Sequence, residues 1–158
     1  MTAPEKNLQP NPQTNINVSS QGQIGGITAH NVIINVEEGA KPRMLTSGQK
    51  SGILAFLANE PKGAFVIKAN ITVPDAWSYS DQIAEPFRKS GWNVRLDNAI
   101  ISGPNVTGVW ITIKNPDAVP PSCIVLKSAL EAAGIVTRAH YDPGIPDPAE
   151  VWLSVGSK

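Results

Sequence analysis

A nucleophilic centre needs a thiol or hydroxyl, a base to take its proton, and a carboxylate to orient that base. The only cysteine, Cys123, falls at the start of a helical pattern, where the positive end of a helix favours a thiolate. Its candidate partners are His140 with Asp142 or Asp147. Nothing in the spacing brings His140 to Cys123, and a lone cysteine at such a position packs as a small apolar side chain. A thiol-dependent enzyme is therefore the weakest reading, and the chain is expected not to be an enzyme. His140, Asp142 and Asp147 are also the only drawable metal set, but aspartates in a Pro/Gly-rich loop serve turns, and their spacing matches no ligand pattern. No metal and no cofactor are expected. His30 reads as an exposed strand residue.

A second constellation is aromatic and cationic. In Gly108-Val-Trp-Ile-Thr-Ile-Lys114, the period of a strand puts Val109, Ile111 and Ile113 on one face and Trp110, Thr112 and Lys114 on the other. The same rule applied to neighbouring strands sets Lys68, Arg95 and Trp152 opposite their apolar rows, with Asp97 the one clear acid and Arg138 or His140 alongside. Lys68, Arg95, Trp110, Lys114 and Trp152 on one rigid face would suit a small anionic ligand with a flat ring, such as a nucleotide. The same composition suits an interface between copies of the chain, because Trp and Arg are enriched there. A third outcome is that the first helix simply covers the face.

Composition bounds these choices. The chain has 158 residues, 41% of them apolar, which is enough for one core, and its 13 basic residues balance 13 acidic ones. General nucleic-acid binding is excluded on charge. No apolar run reaches bilayer length and the N-terminus lacks a signal-peptide core, so a cytoplasmic protein without a membrane span is expected.

Residues 1–13 are rich in Pro, Asn, Gln and Thr and read as a disordered tail. In 14–38, Ile16-Asn-Val18 recurs as Ile34-Asn-Val36 around a Gly-rich turn, which reads as a small β appendage. Two strands are marginal alone, so its apolar residues Ile16, Val18, Ile24, Ile27, Val32, Ile34 and Val36 are assigned to joining subunits. Gly22, Gly25 and Gly26 fit neither phosphate-binding loop. A linker over 39–44 leads to the domain at 45–158, where Thr46 and Gln49 have capping-box spacing for a helix to about Asn59.

The domain then reads strand (Ala64 to Val73), helix with Pro86 inside and Gly91 as its cap, strand (Trp92 to Ile101), turn at Ser102-Gly-Pro-Asn105, strand (Gly108 to Lys114), helix (about Ser122 to Ala133) capped by Gly134, and strands at Ile135 to His140 and Glu150 to Val155. The turn predicts a hairpin between the second and third strands. Alternation within the strands predicts helices on one face only: an α+β two-layer sandwich, ferredoxin-like βαββαβ with an extra C-terminal strand and a preceding helix. The alternative is a three-layer doubly wound α/β fold, if the first helix crosses to the second face.

Gly25-Gly-Ile-Thr-Ala29 ahead of Pro74-Asp-Ala76, Ala133-Gly-Ile135 and Leu153-Ser-Val-Gly156 resembles a group of short, uncharacterised bacterial or phage proteins, some similar to soluble parts of membrane proteins. That resemblance implies no activity. The expected function is a non-enzymatic, homo-oligomeric binding or assembly protein, with a sensor or sequestering protein for a nucleotide-like ligand as the alternative.

Overall fold

The computed structural model describes residues 41–101 and 107–158. The tail, the β appendage with its assigned residues, and the turn at 102–105 lie outside them. Three helices, α1 (Ser47–Leu57), α2 (Ala76–Lys89) and α3 (Pro121–Ala132), accompany five strands, β1 (Ala64–Asn70), β2 (Asn93–Ala99), β3 (Val109–Ile113), β4 (Thr137–Tyr141) and β5 (Trp152–Val155).

The strands form one mixed sheet in the order β2-β1-β5-β3-β4. β1 runs parallel to both β2 and β5, β3 is antiparallel to β5, and β3 is parallel to β4. The predicted α+β class is found, but the order is not that of a simple ferredoxin sheet. The hairpin expected between β2 and β3 does not form, because α2 returns β2 to lie directly beside β1. β1 and β5 then separate β2 from β3. Two strand-helix-strand units, β1-α2-β2 and β3-α3-β4, run in opposite directions on either side of β5. The usual hand of such crossovers puts both helices on one face of the sheet.

That face is the core. Phe65 and Ile67 of β1, Ile111 of β3 and Leu153 and Val155 of β5 meet Ile83, Ala84 and Phe87 of α2 and Leu126 and Leu130 of α3 in one buried cluster. Side chains such as Phe87 and Leu153, fully buried, each contribute roughly 1.5–3 kcal/mol. Phe65, Phe87 and Trp92 add mutual edge contacts at centroid distances of 5.0 to 6.0 Å. α1 packs on α2 and α3, burying Ile53 and Leu57. It stays on the helix side, so the doubly wound alternative does not apply.

Local chemistry sets the ends of the elements. Thr46 accepts from the Gln49 amide at 3.1 Å while the Gln49 side chain accepts from the Thr46 amide at 3.0 Å, the reciprocal cap expected from sequence. Gly91 (φ 85°) and Gly134 (φ 71°) close α2 and α3 in the left-handed region. β1 stops at Asn70, short of the predicted Val73, because the Asn70 side chain accepts from the amide and hydroxyl of Thr72 and turns the chain, leaving Ile71 exposed. Ile100, also assigned to a strand, is exposed beyond the end of β2. α2 starts at Ala76 and continues through buried Pro86.

Candidate functional site

The strand registers decide which side chains meet on the face opposite the helices. One row crosses the whole sheet: Asp97 beside Lys68, Lys68 beside Ser154, Ser154 beside Trp110, Trp110 beside Arg138. The next row is Arg95, Val66, Trp152, Thr112 and His140. Lys68, Arg95, Trp110 and Trp152, inferred from alternation alone, are therefore brought to one face. Lys114 follows at the end of β3, where its ammonium donates to the Pro146 carbonyl at 3.1 Å. Trp110 and Trp152 are diagonal neighbours across the β3/β5 pair, their backbones roughly 7–8 Å apart.

The charges on this face are already engaged. Lys68 Nζ lies 2.9 Å from Asp97 Oδ2 and 4.8 Å from the centroid of the Trp152 ring. Arg95 bonds Asp97 at 3.2 Å and reaches Glu150 at 3.4 Å. The hydrogen bond from Lys68 is the main cause holding the Asp97 carboxyl below its ordinary range, with Arg95 adding to it. Arg138 lies over the Trp110 ring at 5.4 Å, and the edge of His140 meets the same indole at 6.4 Å. Trp110 Nε1 donates to the Thr107 carbonyl at 2.9 Å. Trp152 Nε1 is buried without a hydrogen-bond partner among the described residues. Both indoles are half-buried, and Val66 and Thr112, on either side of Trp152, are buried.

No described helix covers this face, since α1 spends its apolar side on α2 and α3. What overlies its edge is the loop after β4: Lys114 fixes Pro146, and Ile145 is fully buried outside the main core cluster. That loop reads in sequence as turn chemistry and behaves as such. Asp142 Oδ1 accepts from the Gly144 amide at 2.8 Å, and Asp147 Oδ1 from the Ala149 amide at 2.9 Å. Their carboxylates are thus committed to the backbone, and no three of His, Cys, Asp and Glu converge as a metal set among the described residues.

Cys123 is buried on the α3 side of the sheet, and burial pushes its thiol above the ordinary value, opposite to what a nucleophile requires. It borders a cavity of about 150 Å³ with Ile111, Ile113, Lys127 and residues of β4. His140 reaches the rim of that cavity from β4, but its ring is taken up by Trp110 and Tyr141. The pair considered from sequence does not form a thiol-imidazole couple.

Sequence reasoning did not foresee the ion pair that fixes the start of the domain. Asp75 occupies the N-cap position of α2, yet its side chain makes no cap bond. Its carboxylate accepts from the Arg43 backbone amide and from both Nε and the terminal nitrogen of the Arg43 guanidinium, at 2.7 to 3.0 Å. The Arg43 guanidinium holds the Asp75 carboxyl down at about 2. No helix among the described residues is long and apolar enough to cross a membrane. Comparison with protein-family models, curated proteins and solved structures finds no match to this chain.

Proposed function

We propose that the protein is a non-enzymatic assembly protein whose sheet face opposite the described helices is a contact surface between copies, with the segment 14–38 adding further contacts. The observation that carries this reading is the pair of transverse rows, which gather Trp110, Trp152, Arg138 and Lys68 on a rigid surface that no helix among the described residues covers. Aromatic and Arg-rich patches of this kind supply the central contacts of protein interfaces. The pairing of charges favours it over a ring-stacking site. Lys68 and Arg138 already lie over the indoles, and Asp97 and Glu150 neutralise Lys68 and Arg95. A flat ligand would have to displace these contacts, whereas a second protein surface can pack over them.

Tryptophan emission followed on dilution tests the reading. Trp110 and Trp152 should shift to the red as copies separate, while exposed Trp77 and buried Trp92 stay constant. Emission independent of concentration would refute it. The ligand reading keeps one observation of its own: Arg138, stacked on Trp110, makes no carboxylate ion pair among the described residues, leaving a cation for an anionic group. Titration with mono-, di- and cyclic nucleotides would reveal it as a saturable change in emission that Trp110→Ala removes.

A further inference from the structure

The domain contains one structural unit twice. β1-α2-β2 and β3-α3-β4 share their element order and their strand pairing: Phe65 lies beside Val94 and Ile67 beside Leu96 in the first, Val109 beside Thr137 and Ile111 beside Ala139 in the second. Ile83, Phe87, Gly91, Val94 and Leu96 recur at one constant spacing as Leu126, Leu130, Gly134, Thr137 and Ala139. The four helix residues among them are fully buried and both glycines have positive φ, so equivalent positions of the two units can be compared directly.

The units differ where β4 meets α3. Leu96 packs against the core from β2, whereas its counterpart Ala139 is exposed and borders the cavity of about 150 Å³. Ile111 and Ile113 of β3 and Cys123 and Lys127 of α3 line the rest of it. The second difference is a hydroxyl, because Thr137 stands where the first unit has Val94. Thr137 shares the core side of the sheet with Val109 and borders the same cavity, and its Oγ1 is buried with no hydrogen-bond partner among the described residues. A buried hydroxyl left unpaired is destabilising, and valine in the first unit carries no such cost. The charges near the cavity are engaged elsewhere: Lys127 Nζ bonds Glu131 at 2.5 Å, and Arg138 lies over Trp110 on the opposite face.

We infer that this cavity binds a small neutral molecule, a single apolar ring bearing one hydroxyl, of which phenol is the simplest. The ring takes the place that the Leu96 side chain fills in the first unit, and a cavity of this size lined by aliphatic side chains accommodates benzene. One rotamer step about Thr137 χ1 exchanges its methyl and hydroxyl, and the hydroxyl then pairs with that of the ligand. The mouth lies at the β4 edge, where Ala139 and Tyr141 are exposed. The site goes beyond the assembly reading and does not rest on it, since the cavity is on the helix side of the sheet and the tryptophan face on the other.

The test is a titration of the full chain with phenol, followed by ligand-observed NMR, with toluene as the ring that lacks the hydroxyl. Phenol should saturate the protein with a Kd of about 1 mM or below, the range for so small a ligand. No saturation would overturn the proposal. Ala139→Leu restores the residue of the first unit at an exposed position, and should weaken phenol about tenfold or more with the circular dichroism unchanged. Full phenol binding in that folded variant would place the ligand elsewhere and overturn the site. Thr137→Val keeps the shape of the wall and should weaken phenol about fivefold while leaving toluene unchanged. Equal effects on the two ligands would overturn the part given to the hydroxyl. Phenol affinity that rises as the protein is diluted would show that a second copy fills the cavity instead, and would also overturn the proposal.

Discussion

Arg43 and Asp75 show how much one residue pair contributes at the boundary of the domain. Both side chains are mostly buried, with 13% and 14% of their surface exposed. The folded carboxyl lies at about 2 against an ordinary 3.8, so its contribution is fully present above pH 4 and is lost as pH falls through the folded value. After allowance for solvent screening it is on the order of 1–2 kcal/mol. Arg43→Ala should lower stability at pH 7 by about that amount and flatten the fall between about pH 4 and 2, as read from urea midpoints across pH. An unchanged pH profile would show that the pair contributes nothing. Cys123 yields the opposite case: its raised thiol should react slowly with a thiol reagent at pH 7, and Cys123→Ser should leave association unaltered. Rapid labelling of the native protein at pH 7 would restore the nucleophile reading. The sequence could not assign Asp75 to Arg43, because a cap and a long-range ion pair use the same carboxylate, and the partner lies 32 positions away.

Elements were legible where their signals are local. The Thr46/Gln49 box, the glycines after α2 and α3, and the alternation of β5 all depend on neighbours within a few residues, and all are found; β3 departs from alternation at Thr112, which is buried. Strand order depends on partners far along the chain. The turn before β3 suggested a hairpin that direct pairing of β1 with β2 overrides. Thr46→Ala should cost about 1 kcal/mol, the usual worth of an N-cap, measured by chemical denaturation. Gly63 carries a sharper constraint that composition does not betray. A Cβ there would lie 2.8 Å from Trp92 and 2.9 Å from Ser122, at the junction where β1, β2 and α3 approach. Gly63→Ala should destabilise by roughly 1–3 kcal/mol, the range for overpacking a tight site. A neutral effect would mean that Trp92 can move aside.

At the scale of the molecule, the fold places the three described helices on one side of the sheet, and a charged, aromatic layer forms the other. Alternation alone put Lys68, Arg95, Trp110 and Trp152 on that layer; their order across it required the registers, which no local pattern encodes. Lys68 and Arg95 are paired with Asp97 and Glu150, and Lys68 also lies over Trp152, which favours a surface between copies over a ligand platform. Light scattering on full-length protein, wild type against Trp110→Ala with Trp152→Ala, tests that claim most directly. The account predicts an oligomer for wild type and a smaller species for the variant, with circular dichroism unchanged. A wild-type monomer, or a variant that keeps the full assembly, would contradict it.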